Sequence, residues 1–308
     1  MCAMRIRKIA HEDGCEQGCS FQNRRLVEGF TNHPIFLVII MKKQFLIFLD
    51  IDGTLIKEDQ RPNTKRLPAV IQRLENKGFM FCLNSNRSFE DVVLVYKEFG
   101  LNGPIVLENG VYFKKKIGGR KTFLAPKTSM LRGDLVRATK EFVTQEDLDA
   151  YVASTDTVAA IFSHTKSTGV LIMINKFRLF TGSIHVYRDG VRDRSLAEKL
   201  ARHLKKHFRL IKKDVDIVVT GVFGNIIIYP RGVSKETAFK KFRSFYPKHA
   251  FVMIGDDAAD AETLKEVDHF FAVGNAVEEA RKVAEYVSRE PHTKGVIEIL
   301  KYMDKTIL

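Results

Sequence analysis

The sequence predicts an α/β protein: a parallel-sheet core with helices on both faces and a smaller α/β domain inserted into it. Three observations carry this. Short, unbroken apolar runs end abruptly in polar residues, amphipathic helical segments separate them, and the runs stop near residue 114 and resume near residue 250 with a basic stretch between. Apolar runs of this length are too short for helices, and strands buried on both faces read as continuous rather than alternating apolar sequence.

The first run, Phe45 to Leu49, leads directly into Asp50-Ile51-Asp52-Gly53-Thr54. Residues Thr64 to Asn76 then place Leu67, Val70, Ile71 and Leu74 at helical spacing, with Pro68 in the first turn and Gly78 just past the end. A second run, Phe79 to Leu83, ends in Asn84-Ser85-Asn86-Arg87, and a third, Ile105 to Leu107, ends in Glu108-Asn109-Gly110. Downstream, Phe251 to Ile254 ends in Gly255-Asp256-Asp257, and Phe270 to Val273 ends in Gly274-Asn275. Open parallel sheets bind ligands outside the carboxyl ends of their strands, so these polar tips are expected to converge on one site. Between the halves, strands are expected at Thr157 to Phe162, Val170 to Ile174, Ser183 to Tyr187, Val215 to Thr220 and Asn225 to Tyr229, and a helix at Ser195 to Phe208. The expected organisation is a core in two parts, 41–113 and 230–308, with a cap domain at 114–229.

At 308 residues and 45% hydrophobic, the chain can bury the cores of two domains. Lys42, Lys43 and Gln44 interrupt the longest apolar stretch well short of the ~18 residues a membrane span needs, so a cytoplasmic protein with no membrane partner is expected. The formal charge is +13, and residues 114–229 alone hold 22 Lys/Arg against 11 Asp/Glu. A cleft walled by one sign of charge collects the other, which suits phosphorylated metabolites. Nucleic acid is the weaker reading, because no zinc-finger spacing, RNA-binding aromatic signature or long basic run accompanies the charge. Cys2, Cys15, Cys19 and Cys82 do not form a disulfide framework, and Gly14 and Gly18 argue against a helix that would align His11, Cys15 and Cys19 as metal ligands. Residues 1–40 lack periodicity and are expected to be a disordered leader, or untranslated if synthesis starts at Met41.

Two aspartates one residue apart at a strand tip repel each other and call for a cation. Asp50 and Asp52, joined by a third carboxylate such as Asp256, would suit the oxygen-ligated octahedron of Mg²⁺. The bland alternative is an acidic turn, but the Asp-rich tip at Gly255 to Asp260 and the lysine after Ser234 weigh against it.

These residues resemble the motifs of the haloacid dehalogenase-like superfamily of aspartate-nucleophile phosphatases. Asp50-Ile51-Asp52-Gly53-Thr54-Leu55 resembles the first motif, Ser85 the second and Lys235 the third, while Gly255-Asp256-Asp257-Ala258-Ala259-Asp260 resembles the acidic fourth. Glu108-Asn109-Gly110 is similar to the tripeptide that precedes the cap, whose position points to type IIB. Ala259 departs from the pattern, since many relatives carry Asn there.

The resemblance implies a Rossmann-like core and four catalytic residues: Asp50 as nucleophile, Asp52 as acid and base, and Ser85 and Lys235 as phosphate holders. It implies Mg²⁺ on Asp50, Asp52, Asp256 and Asp260, and substrate contacts from Thr54, Arg87 and Asn109, although each of these three also suits a turn or an ion pair. A carboxylate approaching a phosphate dianion at ~4 Å faces ~4 kcal/mol of repulsion per unit-charge pair at an effective dielectric near 20, which the ion and lysine would cancel. In the cap, Lys176, Arg178, His185 and Arg188 could reach substrate, but charged residues on alternating strands usually face water, so none is assigned to the site. The expected reaction is hydrolysis of a small phosphorylated metabolite, a sugar phosphate or a phosphoglycolate-like acid. The rivals are a phosphotransferase of the phosphomannomutase kind and a non-catalytic protein binding an anion or nucleic acid.

Overall fold

The computed structural model describes residues 44–125, 131–155, 168–220 and 224–306. The leader and the strand expected at 157–162 lie outside them. Eight strands form the first sheet: β1 (Gln44–Leu49), β2 (Phe79–Asn84), β3 (Ile105–Leu107), β4 (Tyr112–Lys114), β5 (Lys121–Phe123), β12 (His249–Gly255), β13 (His269–Ala272) and β14 (Tyr286–Val287), in the order β14-β13-β12-β1-β2-β3-β4-β5. The strands from β14 to β3 pair in parallel; β4 and β5 extend the edge antiparallel. Successive strands run outward from β1 in one direction, and β12 starts the other flank. The switch point therefore lies between β1 and β12, where a doubly wound sheet opens its ligand crevice.

The two faces of β1 explain its unbroken apolar run. Phe45, Ile47 and Leu49 join a core with α1 (Leu67–Glu75), α2 (Phe89–Glu98) and α8 (His292–Thr306), while Leu46 and Phe48 join a second core with α5 (Lys235–Phe242) and α7 (Glu278–Val283). Phe48 meets Phe239 edge-on at 4.6 Å between ring centroids and Phe242 at 5.4 Å. These contacts seat the helix that opens with Lys235, and truncating either partner would cost about 3–5 kcal/mol.

The second sheet has six strands: β6 (Ala150–Thr155), β7 (Val170–Asn175), β8 (Gly182–Arg188), β9 (Val191–Arg192), β10 (Val215–Val219) and β11 (Ile226–Pro230). Its order is β10-β11-β8-β7-β6, with β9 on β8. Two helices, α3 (Arg132–Gln145) and α4 (Arg194–Leu210), pack on one face through Leu135, Phe142, Leu200 and Leu204 against Ile172, Ile184 and Ile228. Leu171, Met173 and Tyr187 cluster on the other face. Helix α3 was not anticipated. Strand β5 still pairs with the first sheet, so the second sheet's segment begins beyond it rather than at residue 114. Among the described residues no helix is long and apolar enough to cross a membrane.

Candidate active site

The first-motif loop is a short closed turn at the end of β1. Asp50 N–H donates to the Ile254 carbonyl on β12 at 3.1 Å, and Leu55 and Ile56 N–H both return to the Ile51 carbonyl. The Gly53 carbonyl accepts from Asn275 Nδ2, at the tip of β13, at 2.9 Å. Gly53 has φ +87°, and a Cβ there would stand 2.1 Å from Asp256 Oδ2. Only glycine lets the fourth-motif acid close on this loop. Gly255 serves the same end, since its Cβ would meet the Asp260 carboxyl at 2.4 Å.

At the crevice floor Lys235 Nζ lies between two carboxylates, donating to Asp50 Oδ1 at 2.7 Å and Asp260 Oδ1 at 2.6 Å. Asp50, Lys235 and Asp260 are 6%, 4% and 0% exposed. Lys235 opens α5 behind the N-cap Ser234, whose hydroxyl accepts from Thr237 N–H in a capping box. Asp260 Oδ2 accepts from the Asp256 and Asp257 amides at 3.1 and 3.3 Å, so it shapes the loop as well as holding the lysine. Asp256 Oδ1 accepts from Thr54 Oγ1 at 2.6 Å. Thr54 is fully buried, so its hydroxyl orients an acid instead of facing a ligand.

Asp50, Asp256 and Asp260 each offer an oxygen within 4.8 Å of the others. Burial lifts Asp50 to about 7 against the pull of Lys235, with Asp256, Asp257 and Asp52 adding to the rise. Asp256 is lifted to about 8 by burial and by Asp260, and Asp260 is also raised, by burial first. Burial opposes the charge on Lys235, but Asp260 and Asp50 more than offset it and hold its pKa well above the ordinary value. One ammonium does not neutralise two buried acids and a half-buried third, and oxygen donors in this arrangement fit a hard divalent cation such as Mg²⁺.

Asp52 stands outside this acid cluster. Its carboxylate turns to Arg87, accepting from Nε at 2.9 Å and from Nη2, and its side chain is 49% exposed. Burial would raise the Asp52 pKa, but the Arg87 guanidinium holds it below its usual range. The side chain expected to ligate the metal is thus committed to a bidentate pair. Arg87 also donates to Gln60 Oε1. Ser85, at the tip of β2, is 1% exposed, and its hydroxyl accepts from Arg87 N–H at 3.2 Å. Asn109 follows β3 in a left-handed conformation, φ 60°, with its N–H on the Ser85 carbonyl at 3.3 Å.

Two residues that received no site role from the sequence tie the second sheet to this site. Glu108, fully buried, accepts from the amides of Phe180 and Thr181 and from Thr181 Oγ1 at 2.9–3.1 Å. Asn175 Nδ2 donates to Asp91 Oδ2 at 3.0 Å. The signal was present, since β7 also finishes in polar residues, Asn175 and Lys176, with Arg178 close behind. Arg178 and His185, expected to face water, are 4% and 3% exposed, whereas Arg188 is exposed and paired with Asp193. His185 Nε2 lies 3.1 Å from Ser183 Oγ, and burial together with Arg192 and Arg178 pushes its pKa down to about 3.

The fold and site meet a sequence-family match. Residues 47–300 fit the model of the haloacid dehalogenase-like hydrolases, and the chain belongs to that family. It is an enzyme of the hydrolase class, with the type IIB arrangement of an α/β cap. It is similar to the 5-amino-6-(5-phospho-D-ribitylamino)uracil phosphatase YitU of Bacillus subtilis, 24% identical over 84% of this chain and 97% of that protein. It is also similar to a phosphoglycolate phosphatase of Staphylothermus marinus, 25% identical over 84% and 98%. In fold it resembles a haloacid dehalogenase-like hydrolase from Bacteroides thetaiotaomicron, with TM-score 0.64 and 19% identity over 85% of this chain and all of that one. A Thermoplasma acidophilum structure gives TM-score 0.61 at 17% identity over 85% and 99%.

Proposed function

We propose that the chain is a Mg²⁺-dependent phosphatase that hydrolyses a small phosphorylated metabolite through a phosphoryl group carried on Asp50. The observation that carries this reading is the cluster of Asp50, Asp256 and Asp260, two buried and one half-buried, around Lys235 at the switch point of the sheet. Asp50 and Asp256 would hold the ion, with Asp260 fixing Lys235 beside them. When bound, the ion supplies positive charge that offsets the repulsion between Asp50 and a phosphate dianion.

The free oxygen of Asp50 attacks phosphorus while Lys235 and Ser85 hold the non-bridging oxygens. Once bound phosphate draws Arg87 away, Asp52 takes up a proton from solvent and delivers it to the leaving alkoxide as the ester P–O bond breaks. Water then attacks the phosphoaspartate, Asp52 takes the water's proton, and the P–O bond to Asp50 breaks to regenerate the carboxylate. Arg87 holds Asp52 ionised before substrate arrives. A phosphate dianion is a second bidentate acceptor for that guanidinium, and its competition frees Asp52 to take part in proton transfer. The carboxylate, hydroxyl and lysine act on any phosphate monoester, so the substrates named for the two curated relatives, phosphoglycolate and a phosphoribitylamino-uracil, mark the range to test.

Phosphate release measured over a panel of phosphorylated metabolites with Mg²⁺ and no added acceptor tests the reading. Turnover of an aryl phosphate should fall below detection in Asp50→Asn and in EDTA, with the EDTA loss reversed by Mg²⁺. Undiminished activity in Asp50→Asn would remove the nucleophile from its role, and a requirement for an acceptor sugar would favour phosphotransfer.

A further inference from the structure

The loop between β7 and β8 carries a buried cation with no charge to answer it among the described residues. Arg178 is 4% exposed, yet among the described residues its guanidinium makes one hydrogen bond, Nη1 to Asn86 Oδ1 at 3.0 Å. Nε is buried without an acceptor, and among the described residues no carboxylate comes within the 4.0 Å of an ion pair. A guanidinium has five N–H donors to satisfy, and a buried charge left unpaired is strongly unfavourable.

The neighbouring acids face other partners. Glu108 is occupied by the amides of Phe180 and Thr181, Asp91 by Ser88 and Asn175, and Asp52 by Arg87. Burial accordingly drives the Arg178 pKa down despite the pull of Asp91, Glu108 and Asp52.

Nor is Arg178 a loose surface side chain. Asn175 Oδ1 accepts from the Phe177 and Arg178 amides at 2.9 and 3.3 Å, which fixes the loop from within, and Glu108 fixes it from the first sheet. Its anchor Asn86 sits between Ser85 and Arg87 at the tip of β2, and its charge reaches Asp52. A rigid, desolvated, unsatisfied cation at the edge of a phosphate site is arranged to receive an anion.

We infer that Arg178 binds an acidic group on the leaving alcohol, so that the preferred substrates are phosphate monoesters bearing a second oxyanion, a carboxylate or another phosphate. This rests on the phosphatase reading for the identity of the first anion.

The test is a binding ratio read without turnover. In the full chain carrying Asp50→Asn, with Mg²⁺, the Kd of phosphoglycolate is compared by calorimetry with that of ethyl phosphate, whose leaving alcohol is neutral. Ethanediol bisphosphate replaces phosphoglycolate in a second arm, and preference for either acidic ligand supports the assignment. Adding Arg178→Gln should weaken the acidic ligand about 10- to 100-fold more than ethyl phosphate, as expected for loss of a charge-assisted hydrogen bond. Arg178→Lys should restore part of the ratio, and the melting temperature of Arg178→Gln should not fall, because an unpaired buried charge has been removed. No preference for the acidic ligands with Arg178 intact would overturn the proposal without any Arg178 variant having to fold. Equal losses on both ligands would also overturn it, by placing Arg178 on the transferred phosphate or in a structural role. If the ratio behaves as expected while the Asp50-intact protein releases no phosphate, the phosphatase reading fails and the Arg178 assignment stands.

Discussion

The charges at the crevice floor and the charge in the cap loop are treated in opposite ways. On the floor, Lys235 bridges Asp50 and Asp260, Thr54 engages Asp256, and Arg87 engages Asp52, so each charged group already has a partner. In the loop, Arg178 has among the described residues only the neutral amide of Asn86. A site whose groups orient one another is preorganised for one reaction, and a held but unanswered charge is preorganised for one kind of ligand. The difference separates chemistry from selectivity, with the first sheet setting what is done and the second setting to what.

The hardest way to break the floor is Lys235→Met. It removes the ammonium that Asp50 and Asp260 share and should lower kcat/KM for every substrate about 10²- to 10³-fold, acidic or neutral alike. In EDTA it should also lower stability by about 3–5 kcal/mol, the cost of stranding buried charge, read from denaturant unfolding. A loss confined to acidic substrates would erase the distinction between floor and loop.

A smaller effect is expected at the seam, where Arg87→Gln releases Asp52 from its bidentate pair. We expect kcat/KM to fall about 10- to 100-fold. Because Arg87 holds the Asp52 pKa down, its removal should move the limb of the pH profile that reports Asp52 to higher pH. An unchanged profile with reduced activity would mean that Arg87 acts on substrate alone.

How much of this was legible in the sequence follows from how local the cause is. Strands β1, β2 and β12 are buried on both faces, so their apolar runs announce them, and the polar residues beyond them sit where the chain leaves the sheet. Helix α3 was hidden because its buried face is only Leu135, Ala138, Thr139 and Phe142, diluted by charges and opened by Gly133. Asp52 and Thr54 were assigned to a metal and a substrate because spacing reveals that an acid or hydroxyl is near a strand tip, not which way it turns. Arg87 reaches Asp52 across 35 residues of sequence, and Arg178 reaches Asn86 across 92. A lone arginine after a strand reads as solvated until the tertiary contacts that bury it are known.

A slope of stability with pH tests the floor alone. Asp50 and Asp256 sit at about 7 and about 8 in the folded chain, raised from an ordinary value of 3.8. Between roughly pH 4 and 8 the folded state therefore holds more protons than the unfolded state, and stability must decline as pH rises through that window. In EDTA the melting temperature should drift downward from pH 5 to 8 and level off above it. A divalent ion favours the ionised carboxylates, so Mg²⁺ should flatten the slope and stabilise most at the alkaline end. Arg178→Gln should leave the EDTA slope as it was, since a guanidinium keeps its proton throughout the range. A flat profile in EDTA would mean that the acids of the floor already ionise at their ordinary pH and repel one another too little to require a cation.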